Sequence, residues 1–228
     1  DLAPIRLLAD VTSSSESGGL QNSLYKYDTV DGLVQWLRWD EDVDVVRSPV
    51  AGNTSNRVYF TGDSVDGMKP RVTQNSVAIG AGTIYPTTSY RLGLPAPSVA
   101  PTAVAVGSVP EATSNELKET RSYVYTFVTA NGEEGPPSPP SAVFDLYPTS
   151  QSANVSLMQT AEEASYNVSH KYIYRTVTSA AGTQYQFVAS VLLSAAAYED
   201  SLSPLQVGGV LPSTLWSAPP DGMIGLTS

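Results

Sequence analysis

The sequence predicts an all-β fold, and three observations carry that prediction. Charged residues fill only 15% of the 228 positions, while 41% are hydrophobic; an average soluble domain carries about 25% charge. The missing charge is replaced by Ser, Thr, Ala, Val and Gly together with 13 Tyr, residue types that suit half-buried pleated strands and the turns between them. The chain also holds 17 Pro, each of which removes a backbone donor and breaks a long helix. No long stretch repeats Leu, Lys, Glu and Gln at the helical period.

The first hundred residues read as an irregular β region. Residues Leu33-Val34-Gln35-Trp36-Leu37-Arg38-Trp39 form a compact apolar run, followed by the acidic group Asp40, Glu41, Asp42 and Asp44. Alternation places Asp42 and Asp44 on one strand face and Val43 and Val45 on the other. Pro49 ends this run. Arg57 to Asp63 is a second expected strand and Pro70 to Thr73 a third, after which Gly80 and Gly82 open a loop-rich passage. Leu92 to Pro101 then carries Pro95, Pro97 and Pro101, a composition that stiffens the chain toward an extended linker.

Strand signals strengthen beyond that linker. Thr102 to Val109 is an expected strand, and Glu111 to Arg121 gathers enough Glu, Leu and Lys for one helical turn. In Arg121 to Thr129, Tyr123, Tyr125 and Phe127 project to one face, and Asn131-Gly132 supplies the turn that follows. Ala142 to Leu146 and Ala153 to Met158 are shorter candidates. Lys171 to Val177 pairs naturally with Gln184 to Val191 across Ala180-Ala181-Gly182, and Tyr198 to Ser201 adds a last strand. Such a series of short strands bounded by turns describes an immunoglobulin-like or fibronectin-III-like β-sandwich. The absence of Cys removes the inter-sheet disulfide of antibody domains and favours the fibronectin-like form. The expected organisation is an irregular β region over 1–98, the sandwich over 99–210 and an extension over 211–228.

Composition excludes much chemistry. A chain without Cys has no disulfide, thiolate-metal or thiol-nucleophile chemistry. One His, His170, is too few for a multi-imidazole metal site, and it lies beside Lys171 with no Gly-x-Ser-x-Gly elbow near it. Asp40, Asp42 and Asp44 alternate as calcium ligands do, but Val45 stands where an EF-hand loop needs Gly. No catalytic, cofactor-binding or metal residue is therefore expected. Net charge is -10, and no window clusters Lys and Arg into a phosphate-tracking surface, so direct nucleic-acid binding is not expected. No apolar run approaches the ~18 residues of a membrane span. The opening Asp1-Leu2-Ala3-Pro4-Ile5-Arg6 is neither an initiator Met nor a signal sequence, so the chain is expected to begin inside a longer product.

Several runs resemble segments of tailed-bacteriophage tail and neck proteins, the nozzle-like family among them. They are Trp39 to Pro49, Arg57 to Asp63, Leu92 to Pro97, Tyr125 to Ser138, Ile173 to Thr176 and Trp216 to Leu226. The resemblance implies a structural virion protein, present in several copies around a ring or tube and touching neighbouring tail or neck proteins. It brings over no catalytic residue. Nozzle-like relatives continue into a β-propeller, so the chain is expected to be a fragment of such a nozzle, a shorter neck or tail protein, or another virion component. Since aromatic side chains are enriched at protein interfaces, Trp36, Trp39, Tyr59 and Trp216 are the candidate interface anchors. The competing expectation is a sugar- or receptor-binding module of a phage fibre or bacterial adhesin, in which aromatic rings on an exposed sheet would stack on sugars.

Overall fold

A computed structural model describes residues 23–64, 67–81, 86–111, 115–160, 164–180 and 182–226. The chain divides into two compact units, Asp1–Leu92 with Pro219–Ser228, and Gly93–Ala218.

The first unit is more regular than its sequence implies. Strands β1 (Ser23–Asp28) and β2 (Val34–Trp39) form an antiparallel hairpin in which Tyr25 faces Leu37 and Tyr27 faces Gln35. Strands β3 (Asp44–Arg47), β4 (Val58–Thr61), β5 (Arg71–Thr73) and β6 (Tyr90–Arg91) make an antiparallel sheet in chain order. One helical turn, α1 (Asn75–Ala78), lies between β5 and β6. Odd-numbered residues of the hairpin turn inward, so Tyr27, Leu37 and Trp39 share a core with Val43, Val45, Val58, Phe60 and Ala78. Val43 and Val45 are buried, as alternation predicts. The rings of Trp39 and Phe60 meet with centroids 5.0 Å apart, within the range where tilted aromatic pairs attract.

The second unit is a β-sandwich. Its strands are β7 (Thr102–Gly107), β8 (Glu119–Arg121), β9 (Tyr123–Thr129), β10 (Glu134–Pro137), β11 (Phe144–Leu146), β12 (Gln151–Ser156), β13 (Val168–Ser179), β14 (Gly182–Leu192) and β15 (Tyr198–Asp200). One sheet has the order β10-β9-β13-β14, the other β15-β12-β7, and β8 pairs separately with β11. Tyr123, Tyr125, Phe127 and Ile173 from the first sheet pack against Ala153 and Val155 from the second, each with its side chain withdrawn from water. The β13–β14 hairpin forms where the sequence places it, with Gly182 at φ +106°, a backbone region open chiefly to glycine. Ala181 lies outside the described residues.

Two sequence expectations change. The helical turn expected over Glu111 to Arg121 is not formed by its described residues: residues 115–118 are irregular and Glu119–Arg121 is a strand opposite Phe144–Leu146, while residues 112–114 lie outside the described ones. Strand parity sets Glu119 and Arg121 on one face, where Nε and Nη2 of Arg121 donate to Glu119 Oε2 at 3.0 and 2.7 Å. The strand expected to reach Val109 stops at Gly107, whose φ of +120° turns the chain.

The proline-rich segment packs on the sandwich instead of standing away from it. Leu94 is buried in the core, the Tyr125 hydroxyl donates to Val99 O at 2.9 Å, and Ser98 N donates to Gln159 Oε1 at 3.2 Å. At the far side, residues 208–211 run along β14, with Gly208 N donating to Phe187 O at 2.7 Å and Leu211 N to Tyr185 O at 2.9 Å. Leu211 is thereby buried against Val124 and Tyr174 on the sheet's second face.

Phe127→Ala is expected to lower the urea unfolding free energy by about 3–5 kcal/mol, the range for an aromatic deleted from a close-packed core. The control Leu205→Ser, at a side chain 96% exposed, should change it by less than about 0.5 kcal/mol.

Candidate interaction surface

The β1–β2 hairpin has a second face. Its even-numbered residues point away from the core, and the register sets Leu24 opposite Arg38, Lys26 opposite Trp36 and Asp28 opposite Val34. Trp36 is 46% exposed, and Val30, Leu33 and Val34 at the turn end are 57, 59 and 48% exposed. Lys26 and Asp28 form an ion pair of 3.3 Å beside the indole. An aromatic and three aliphatic side chains, gathered at one end of a hairpin and edged by charge, make a patch of the kind that marks contact sites.

The turn beneath this patch is well anchored. Thr29 N donates to Leu33 O at 2.8 Å and Gly32 N to Thr29 O at 3.0 Å, with Gly32 at φ +83°. The Thr29 hydroxyl bonds both Leu33 O and the Asp31 carboxylate, and that bond holds the Asp31 carboxyl below the usual carboxylate range. Val30 N reaches Asn75 Oδ1 at 3.0 Å, and Asn56 Nδ2 donates to Asp28 O at 2.7 Å. A patch carried on a fixed turn loses little conformational entropy when it is covered.

The four aromatic candidates have different positions. Trp36 lies on the exposed patch. Trp39 is 6% exposed and belongs to the first unit's core, so it offers no ring face to a partner. Tyr59 is half-buried on β4, opposite Val46 and Val72. Trp216 is 52% exposed in the second unit and follows Leu215, which is 95% exposed. The structure thus separates the two members of the Trp36/Trp39 pair by strand parity.

Chemistry-bearing groups are placed as follows. Among the described residues no three or more His, Asp or Glu side chains converge as metal ligands, and Glu41 instead accepts a hydrogen bond from Ser64 Oγ. His170 lies within β13, its Nδ1 2.8 Å from Ser169 Oγ. Among the described residues no helix is long and apolar enough to cross a membrane.

Two buried polar groups escape the sequence reading. Asp200 on β15 accepts from Arg175 Nη1 at 2.6 Å and from the Tyr123 hydroxyl at 2.7 Å, with Arg121 Nη1 at 3.6 Å. All four side chains are at most 2% exposed, and they join the two sheets by charge-assisted bonds inside the core. Burial, reinforced by the neighbouring Asp200 carboxylate, pushes the Tyr123 hydroxyl well above its ordinary range. Burial alone would lower Arg121, but its bonds to Glu119 and Tyr123 outweigh that and raise it. Lys171 on β13 is fully buried and donates to the carbonyl oxygens of Gln159 and Ala195. Burial pulls its ammonium down to about 8. The available signal is that Lys171 and Arg175 share the parity of the apolar Ile173 on β13.

No protein-family model matches this chain, and no curated protein matches it.

Asp200→Ala is expected to cost about 3–5 kcal/mol in chemical denaturation, because it strands the buried Arg175 guanidinium and removes the acceptor of the Tyr123 hydroxyl. Lys171 gives a pH signature. Its folded pKa lies below the unfolded value, so between pH 8 and 10.5 the unfolded chain holds more protons and stability rises with pH. Tyr25, Tyr27, Tyr123, Tyr125, Tyr174 and Tyr198, all raised chiefly by burial, contribute stability that is lost as pH rises through 10, and they oppose the trend there. Denaturation from pH 8 to 9 should show a rise of about 1 kcal/mol, absent in Lys171→Met.

Proposed function

We propose that this chain is a structural component of a bacteriophage virion, a tail or head–tail junction protein that assembles into a symmetric ring through protein–protein contacts. The observation that carries the reading is the exposed Trp36, Val34, Leu33 and Val30 patch on a rigid hairpin. A ring repeats one contact in every copy, so a modest patch of this kind is multiplied by closed symmetry. The sequence resemblance to tail and neck proteins supports the same reading, as does the sandwich, whose two sheets suit a fibronectin-like module. Partners on this reading are further copies of the chain and the adjoining virion proteins, and its location is the virion.

A second reading has one specific support. Trp36 presents an indole face beside Lys26 and Asp28, the combination of stacking ring and hydrogen-bonding groups that suits a sugar. On that reading the chain is a sugar- or receptor-binding module of a fibre or adhesin.

The test is sedimentation velocity with negative-stain electron microscopy on the full chain. A ring is expected, and Trp36→Ala should weaken its association about 10- to 100-fold, the range of an interface anchor, with the thermal midpoint unchanged. A monomer at every concentration, with saturable glycan-array binding that Trp36→Ala abolishes, would favour the second reading instead.

A further inference from the structure

The sheet edges of this protein are not treated alike. An open edge strand invites another chain to pair with it, and proteins guard such edges with charge, proline, short length or a covering segment. Among the described residues, β3 carries Asp44 and Arg47, and β6 is two residues long and includes Arg91. The hairpin strands carry Lys26, Asp28 and Arg38. In the second unit β10 ends in Pro136-Pro137 with a shifted register. Residues 208–211 run along β14, and β15 is three residues long with Glu199 exposed. The short pair β8 and β11 carries Glu119, Arg121 and Asp145.

Among the described residues, strand β7 lacks the guards of charge, proline and short length, and no other strand is bonded along its second edge. It is six residues long, Thr102-Ala103-Val104-Ala105-Val106-Gly107, with no charge and no proline. Its ladder partner is β12; β11 comes close but bonds to β8. Val104 and Val106 point outward and are 47 and 44% exposed. The whole run 92–110 contains no charged residue, in a molecule of net charge -10.

We propose that β7 pairs edge to edge, antiparallel, with β7 of a second copy of this chain. The sequence of the strand is self-complementary about Ala105. That register sets Val104 opposite the second copy's Val106, on the outer face that Val104 and Val106 share, and Ala103 opposite the second copy's Gly107. Four valines then form a cross-strand cluster on one side, and only small residues meet on the other. The sheet β15-β12-β7 becomes one continuous six-stranded sheet across a two-fold axis, an isologous contact. The occupant is a second copy because an uncharged, self-matching strand lets two acidic molecules meet without opposing like charges. This contact does not depend on the virion reading and is distinct from the Trp36 patch.

The test is sedimentation of the full chain from about 1 to about 100 µM, where modest interfaces dissociate. Wild type should double its stoichiometry with concentration. Val104→Lys/Val106→Lys places like charges opposite one another and should weaken the pairing at least about tenfold, with unchanged circular dichroism because both side chains face solvent. Amide hydrogen exchange on wild type gives a reading independent of any variant: β7 amides not bonded to β12 should gain protection as concentration rises. A wild type without this doubling, a double variant that associates as tightly, or β7 amides indifferent to concentration would each overturn the proposal. A ring that survives the double substitution leaves the virion reading standing without this contact, and a two-fold dimer with no larger ring does the reverse.

Discussion

Burial of β9 on both faces is the constraint around which the second unit is organised. Seven consecutive residues, Tyr123 to Thr129, are withdrawn from water, and a strand in that position needs cover on two sides and a ladder partner at each edge. Tyr123, Tyr125 and Phe127 are covered by the β15-β12-β7 sheet, whose inward residues Ala103, Ala105, Ala153 and Val155 are small enough to let the aromatic rings approach. Val124 on the reverse is covered by Leu211, brought there by a segment that follows the last strand. The edges are taken by β10 and β13. Residues far apart in sequence are thus recruited by one strand's need for cover.

Charged side chains lie inside this sandwich at the Asp200 cluster and at Lys171. Asp200 joins Arg175 and Tyr123 across the two sheets, and Leu202 N donates to its other carboxylate oxygen at 2.9 Å. Such a cluster adds little net stability over a well-packed apolar core, since desolvation offsets much of the Coulomb attraction. Its consequence is directional: β15 satisfies these donors only in the register that brings Asp200 inward, opposite Ala153. Lys171 does a related task with backbone carbonyls, tying Gln159 and Ala195 to β13.

How far the sequence discloses this arrangement depends on whether a segment is one-sided. Val43 and Val45 alternate with acids, so their burial is legible, and the β13–β14 hairpin is legible because two apolar strands flank a short glycine turn. The run Val34-Gln35-Trp36-Leu37-Arg38-Trp39 is apolar in both parities, so the sequence does not say which tryptophan goes inward. The partner strand decides that: Tyr25 and Tyr27 across the hairpin face inward, and they take Leu37 and Trp39 with them. Ser23–Asp28 itself carries a signal, since its two tyrosines alternate with Lys26 and Asp28 ahead of an Asp31-Gly32 turn. The ion cluster is the least legible part. Arg121, Arg175 and Asp200 are 25 or more positions apart in sequence, and only the stacking of the two sheets brings them together.

Gly135 on β10 gives the leading segment of the second unit an unusual seat. A Cβ at that position would fall 2.6 Å from the Cβ of Leu94, so the backbone of an edge strand and a core side chain of the incoming polypeptide are in direct contact, with no room for a larger residue. Val99 and Ser98 are bonded farther along the same segment. Tension applied to the chain ahead of Gly93 would therefore meet this seat and those bonds before it reached β7.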